Sequence, residues 1–182
     1  MITQDGFPGE FLTEARQESA VSPVVTLPAA PGSYVLILTL ASTQTLPVGR
    51  LGNVPFQDGH YLYVGSALGG LRRRVGRHLR GARRLHWHID YLLLHAVLLE
   101  IWYLESPTPL ECLWAHALAA QPGLVHWGRR FGSSDCRCPT HLFRSVERPL
   151  PSILGDRYQG LVCLPVVDGC GRGARGQEPV WP

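Results

Sequence analysis

Lysine is absent from this chain, and all 17 of its basic residues are arginine. Coding bias is the simplest explanation, although arginine is also the side chain whose planar fork holds a phosphate through two hydrogen bonds. No apolar run reaches the ~18 residues of a membrane-spanning helix. The first residues carry Asp5, Glu10 and Glu14 where a secretory signal needs positive charge and then an apolar stretch. We therefore expect a cytoplasmic protein with no membrane partner.

Cysteine is also scarce, with five residues, an odd number. Two of them lie close together in Cys136-Arg137-Cys138, which fits reduced thiols or a metal better than a secreted disulfide framework. The 182 residues, 45% of them hydrophobic, suffice for one domain with a substantial core. We predict a loosely ordered arm over 1–30, a folded domain over 31–148, and a disordered glycine- and proline-rich tail over 149–182.

The net charge of the chain is only +3, but its arginines are concentrated between Arg72 and Arg84. A stripe of arginines like this one is commonly a solvated helix face, but beside candidate catalytic groups it favours a nucleic-acid partner. The arginines that we predict to contact nucleic acid are Arg72, Arg73, Arg77, Arg80, Arg83 and Arg84.

Two tyrosines lie in short glycine-marked strands, one predicted from Tyr34 to Leu40 and the other from Gly59 to Val64. The segment Leu46 to Leu51 is predicted as a short partner strand. Close sequence neighbours usually pair antiparallel, which brings the start of the first strand beside the end of the second. We therefore expect Tyr34 and Tyr63 to be neighbours.

A helix is predicted from Leu71 to Arg80, ending at Gly81. At ~100° per residue, Arg74 and His78 lie beside the buried stripe, whereas Arg73, Arg77 and Arg80 face away from it. A tyrosine in a strand or a histidine beside an apolar stripe is usually structural. Phenol, guanidinium and imidazole groups that converge from three elements instead suit the handling of a phosphodiester.

These residues carry a family resemblance. Gly32-Ser33-Tyr34, then Tyr63-Val64-Gly65, then Leu71-x-x-Arg74-x-x-x-His78 resemble the GIY-YIG nuclease superfamily in type and order. The strings HWHIDYL at 86–92 and SDCxCxxHLF at 134–143 resemble a poorly characterised branch of it, classed as a domain of unknown function and sometimes fused to a DNA-repair glycosylase. The resemblance covers 32–144. It implies an α/β (α+β) fold: a small mixed or antiparallel three-stranded sheet flanked by helices.

The resemblance also implies a function, a metal-dependent endonuclease that cleaves phosphodiesters, with DNA as its partner and DNA-repair proteins as further partners. One Mg²⁺ or Mn²⁺ ion is expected on Glu111. The residues alone leave a second use open, because Thr108-Pro109-Leu110-Glu111 is also a capping box; the resemblance favours the metal.

The implied catalytic residues are Tyr34, Tyr63, Arg74 and His78. One tyrosine, with Tyr63 preferred, orients or deprotonates water, Arg74 steadies the phosphate, and His78 relays the tyrosine proton. Because a free phenol has a pKa of ~10, a base role needs a lowered pKa.

The chain departs from the superfamily pattern at two places. The loop 66–70 is one residue longer, and no clear counterpart exists for the usual asparagine, for which Ser133, Ser134 or Asp135 are the candidate substitutes. These departures keep an alternative open, a noncatalytic DNA-binding or DNA-repair accessory module on the same fold.

A second cluster consists of Cys136, Cys138 and His141, which His86 or His88 would extend to four zinc ligands. The spacing is not Cys-x-x-Cys, so the sequence favours buried thiols and a hydrogen-bonded core histidine. We therefore expect no structural zinc. A zinc-stabilised protein-interaction domain is the third alternative.

Overall fold

A computed structural model describes residues 26–81, 84–154 and 158–166. Within these ranges the elements are β1 (Gly32–Leu40), β2 (Gln44–Pro47), β3 (Asn53–Phe56), β4 (Gly59–Ala67), α1 (Leu71–Arg80), α2 (His88–Leu93), β5 (Val97–Glu105), α3 (Glu111–Ala119), β6 (Val125–His126), β7 (Leu142–Ser145) and β8 (Val162–Pro165). No helix among the described residues has the length and apolar character needed to cross a membrane.

The main sheet of the described residues has six strands in the order β6-β7-β4-β1-β5-β8, and every neighbouring pair is antiparallel. The predicted α+β class, an antiparallel sheet flanked by helices, is confirmed. The predicted number of about three strands is too small. Strand β5, of nine residues, was not predicted either. Strands β6, β7 and β8 are short, and only pairing with distant parts of the chain identifies them.

Strand β1 lies at the centre and is buried on both faces. Its alternate side chains enter two cores: Leu36 packs with the cluster that includes α1 and α2, and Val35 packs with the cluster that includes α3. Burial on both faces explains why β1 is a nearly continuous apolar run rather than an alternating one. The sheet is thus a central layer with helices on either side.

The register of β1 against β4 determines where the tyrosines lie. Tyr34 is opposite Gly65, and Leu36 is opposite Tyr63. Because residues two apart in a strand share a face, Tyr34 and Tyr63 lie on one face of the sheet as diagonal neighbours. The expected proximity of the two tyrosines is confirmed.

The segment between β1 and β4 differs from the expectation of one strand over Leu46 to Leu51. It forms a separate two-stranded hairpin of β2 and β3, with a 3-10 turn at Gly49–Leu51. The positive φ values of Gly49 and Gly52, 46° and 70°, allow the sharp reversal.

The described parts of the predicted loosely ordered arm and of the predicted disordered tail contact the folded domain. Residues 26–30 pack on α1: Leu27 is buried, and the carbonyls of Pro28 and Ala30 accept hydrogen bonds from the first backbone N–H groups of α1. At the other end, Pro151–Leu154 forms a 3-10 turn and β8 pairs with β5. Residues 1–25 of the predicted arm and 167–182 of the predicted tail lie outside the described residues.

Candidate phosphodiester site

A pocket of about 380 Å³ opens beside the end of β4 and the start of β1. Four of the five residues predicted for catalysis and Mg²⁺ binding line it together: Tyr34, Tyr63, Arg74 and Glu111. His141, of the predicted cysteine and histidine cluster, lines it as well. The first four come from four separate elements, β1, β4, α1 and α3. A mainly polar pocket lined by a carboxylate, a guanidinium and two phenols can hold a charged ligand, its counter-ion and water.

Each tyrosine ring lies over a glycine. A Cβ on Gly65 would stand 2.6 Å from the Tyr34 hydroxyl oxygen, and a Cβ on Gly132 would stand 2.6 Å from Cε2 of Tyr63. Both distances are shorter than side chains tolerate, so these positions need glycine. Gly132 also has a φ of 72°, which favours glycine independently. Gly132 lies 69 residues beyond Tyr63, and its role was not apparent from the sequence.

His78 does not line the pocket, but it forms a hydrogen bond with the hydroxyl of Tyr34. Its Nε2 lies 2.9 Å from the Tyr34 hydroxyl, and its Nδ1 lies 3.9 Å from Oδ1 of Asp90. Burial lowers the pKa of His78 to about 4, outweighing the opposing effect of Asp90. The imidazole is therefore neutral at pH 7. When the neutral ring carries its proton on Nδ1, its Nε2 accepts a hydrogen bond from the hydroxyl of Tyr34.

The phenols are less acidic than a base role requires. Burial raises the pKa of Tyr34 well above its usual value, and the nearby Tyr63 adds to the rise. Burial also raises the pKa of Tyr63, and Arg74 offsets only part of that effect. The lowered pKa that deprotonation of water requires is absent in the free protein. Both tyrosines are neutral hydrogen-bonding groups at pH 7.

Arg74 lies at the pocket with its charge unpaired among the described residues. Its Cζ lies 3.9 Å from the centroid of the Trp87 ring, where a cation–π contact holds the guanidinium without neutralising it. The predicted orientation of Arg74 toward the tyrosines is confirmed by its place in the pocket lining. Arg74 is thus available to a phosphate.

Arg77 does not belong to an outward basic face, contrary to its predicted position. Its two terminal nitrogens each lie 2.7 Å from an oxygen of Asp90. The side chain of Asp90 is buried, and one of its oxygens also accepts the backbone N–H groups of His86 and Trp87. These donors hold the pKa of Asp90 below its usual value despite burial. Arg77 therefore joins α1 to α2 and is not free for nucleic acid.

The remaining predicted contact arginines differ in their freedom. All four described members, Arg72, Arg73, Arg80 and Arg84, are exposed. Arg72 differs from the others because its Nε donates a hydrogen bond to the Leu27 carbonyl at 2.9 Å. Arg83 lies outside the described residues.

Glu111 faces the pocket rather than capping its own helix. The alternative use of Glu111 in a capping box is not found, because α3 begins at Glu111 itself and its N-cap residue is Leu110. The backbone N–H of Leu110 donates to Oγ of Ser33 at 2.8 Å. Ser33 Oγ lies 2.9 Å from Ser66 Oγ, and the Ser66 hydroxyl donates to Oε2 of Glu111. Two serines opposite each other on β1 and β4 thus hold this carboxylate in the lining of the pocket that the tyrosines share.

The three candidate substitutes for the missing asparagine separate in the structure. Ser134 and Asp135 line the pocket, whereas Ser133 is fully buried and its hydroxyl has no hydrogen-bond partner among the described residues. Asp135 places a second carboxylate in the pocket beside Glu111. An amide at this position would be neutral, so the aspartate makes the pocket more negative.

The cysteine cluster has a fourth member in the structure that the sequence pattern did not predict. Cys112, from α3, joins Cys136, Cys138 and His141, and the four potential ligand atoms lie within 4.8 Å of one another. His86 and His88, the fourth ligands considered from the sequence, are not in this group. Instead, His88 Nδ1 accepts the backbone N–H of Gly132 at 3.1 Å.

Comparison with known proteins gives one positive result. No curated protein and no solved structure matches the chain significantly. A family model described as Domain of unknown function DUF123 matches residues 33–157, which include both tyrosine strands, the pocket and the cysteine cluster. The chain therefore belongs to the DUF123 family of domains.

Proposed function

We propose that this protein is a metal-dependent endonuclease of GIY-YIG type that cleaves phosphodiesters of DNA. One observation carries the proposal: Tyr34, Tyr63, Arg74 and Glu111 come from distant parts of the chain to one pocket. Packing alone does not explain a guanidinium and a carboxylate that share a pocket without pairing with each other. The order of the GSY, YVG and Leu-x-x-Arg-x-x-x-His motifs supports the superfamily assignment.

The residues present fit a single divalent cation. Glu111 offers a carboxylate whose only protein donor among the described residues is a neutral hydroxyl, that of Ser66. Oxygen ligands of this kind suit Mg²⁺ or Mn²⁺. When bound, the ion supplies a positive charge that stabilises the charge developing on the phosphate and the leaving oxygen.

The protein's own groups have distinct roles in this proposal. The Arg74 guanidinium holds a nonbridging oxygen of the phosphate. The Tyr63 hydroxyl, which donates to no other group in the described ranges, orients the attacking water. Tyr34 accepts a proton from that water as it passes its own proton to Nε2 of His78, 2.9 Å away. Asp90 stabilises the imidazolium ion that results.

A second function is favoured by the low acidity of the phenols. Burial raises the pKa of both tyrosines, and no described residue that lines this pocket supplies an amide side chain in place of the asparagine of the superfamily pattern. A noncatalytic DNA-binding module would retain Arg74 and the exposed arginines of α1 while its tyrosines act only in packing. This alternative predicts binding of DNA without turnover.

Glu111→Ala distinguishes the two functions. We expect the wild type to nick supercoiled plasmid with Mg²⁺, and Glu111→Ala to lose at least ~100-fold in rate, the loss typical of a removed electrostatic stabiliser. Glu105→Ala, a carboxylate at the exposed end of β5, is the matched control. Binding measured by fluorescence anisotropy should persist in all three proteins. Tight binding with no nicking by the wild type supports the noncatalytic module, and equal nicking by wild type and Glu111→Ala excludes this site.

A further inference from the structure

We propose that Cys112, Cys136, Cys138 and His141 bind one structural zinc ion. Three thiol sulfurs and one imidazole nitrogen form the Cys₃His ligand set of structural zinc sites. In the described part of the chain this is the one group of three or more histidine, cysteine or acidic side chains whose ligand atoms converge in this way. The inference is independent of the proposed nuclease activity.

The distances agree with a tetrahedral site. Zinc–sulfur bonds of ~2.3 Å and zinc–nitrogen bonds of ~2.0 Å place sulfur and nitrogen ligands ~3.5 Å apart around one ion. In the structure, Nε2 of His141 lies 3.5 Å from Sγ of Cys136 and 3.9 Å from Sγ of Cys112. These two values are close to those of a bound site, and no two ligand atoms of the group are more than 4.8 Å apart.

The environment of the cluster also fits a structural rather than a catalytic ion. Cys138 and His141 are buried, and Cys112 and Cys136 are half-buried. His141 forms a hydrogen bond with the backbone of Gly132, and such a second partner commonly fixes the ring of a zinc-ligating histidine. Four protein ligands complete a tetrahedron and leave no open position for water.

Apolar packing is a weaker explanation for the same geometry. A small buried cysteine turns its sulfur toward apolar neighbours, whereas these three sulfurs and Nε2 of His141 point at one another. Cys163 provides the contrast, since it is exposed on β8 and belongs to no such group within the ranges that the structure describes.

The position of the site suggests what the zinc does. Cys112 follows Glu111 in sequence, and Cys136 follows Asp135, so two of the four zinc ligands neighbour a carboxylate that lines the pocket. The ion would join the start of α3 to the loop before β7. This loop has no regular secondary structure from residue 127 to residue 141. The ion would therefore add a crosslink to the turn hydrogen bonds and the buried Phe131 that already hold the loop. The zinc is thus a support for both carboxylates.

Elemental analysis of the full chain tests the site. The protein is purified in reductant without chelators, and its zinc content is measured by inductively coupled plasma mass spectrometry. We expect about one zinc per chain in the wild type, less than about a tenth of that in the Cys136→Ser/Cys138→Ser double variant, and wild-type content in Cys163→Ser.

A second measurement covers the case in which the double variant fails to fold. Co²⁺ is added to metal-free, reduced wild-type protein, and the absorption spectrum is recorded. A thiolate-to-cobalt charge-transfer band with strong visible bands indicates a tetrahedral sulfur site, and Zn²⁺ should bleach both. Wild-type protein that retains no zinc and gives no such spectrum would overturn the proposal. So would zinc that persists in the double variant, or a disulfide among these cysteines in freshly purified protein.

Discussion

The hydroxyl of Tyr34 occupies the space that a Cβ on Gly65 would need, 2.6 Å from the position of that atom. Gly65 is opposite Tyr34 in the register of β1 and β4, so the glycine allows the phenol to lie across the neighbouring strand. From there the hydroxyl reaches His78 at 2.9 Å. Gly65, two residues after Tyr63, therefore determines where the ring of Tyr34 lies.

Gly65→Ala should displace the Tyr34 ring and destabilise the fold by about 1–3 kcal/mol, the usual range for overpacking a core. Urea unfolding measures the change. Gly69→Ala is the matched control, because the three atoms nearest to its Cβ would all belong to the guanidinium of Arg73, the far end of a flexible side chain. Equal effects of the two substitutions would show that the Tyr34 ring does not need Gly65.

The neutral state of His78 makes stability depend on pH. Its pKa is about 6.5 in the unfolded chain and about 4 in the folded protein, so the unfolded chain binds the proton more tightly. Stability is complete above pH 6.5 and falls as pH decreases from 6.5 to 4, by roughly 3 kcal/mol over the whole window. Urea unfolding at pH 7 and pH 5 should show this decline. His78→Gln should reduce it, whereas replacement of the exposed His95 by glutamine should leave it unchanged. The same decline in all three proteins would contradict a neutral, buried His78.

The Arg77 and Asp90 pair should contribute more to stability than an exposed pair. Arg77→Met leaves a buried carboxylate without its guanidinium and should cost about 3 kcal/mol in free energy of unfolding. Arg148→Met removes the partner of Glu100, where the arginine side chain is 52% exposed. That control should cost about 0–1 kcal/mol. If the two losses are similar, the pair does not hold α1 against α2.

The fold around the tyrosines could be predicted because its determinants are close in sequence. Strands β1 and β4 and helix α1 follow one another between Gly32 and Arg80, so antiparallel pairing and helical phase suffice to place Tyr34, Tyr63 and Arg74. The phase also predicted that Arg77 faces solvent. That prediction failed because Asp90, on the next helix, attracts the arginine more strongly than solvent does.

The role of Glu111 could not be decided locally. Thr108 has the spacing of an N-cap, but the Ser106 hydroxyl donates to the Thr108 carbonyl and the turn continues beyond it. The Leu110 N–H is satisfied by Ser33, which lies 77 residues away in sequence. The place of Cys112 in the cysteine cluster could not be predicted for the same reason, since only the tertiary fold brings Cys112 to Cys136. Strands β7 and β8, of four residues each, likewise depend on long-range pairing.

The exposed arginines of α1 should carry nonspecific DNA affinity. Arg73→Ala/Arg80→Ala should weaken binding about equally for unrelated sequences and reduce the slope of log affinity against log salt by about 0.9 for each phosphate that the variant no longer neutralises. Arg50→Ala, an exposed arginine in the 3-10 turn after β2, is the control. Fluorescence anisotropy over a salt series provides both quantities. If the slope of log affinity against log salt is unchanged in the double variant, DNA does not bind at these two arginines of α1.

The rate of plasmid nicking by Tyr63→Phe, set against Tyr61→Phe, tests the central claim most directly. Both tyrosines lie on β4 and share a face, but the Tyr61 hydroxyl donates to the Gln57 carbonyl at 2.7 Å, whereas Tyr63 lines the pocket. With Mg²⁺ and equal protein, we predict that Tyr63→Phe lowers the rate by ~100-fold or more, as expected when a group that positions the reacting water is removed. Tyr61→Phe should remain within about threefold of the wild type, a difference below 1 kcal/mol. Equal nicking by Tyr63→Phe and the wild type would contradict the assignment of this pocket as the nuclease site.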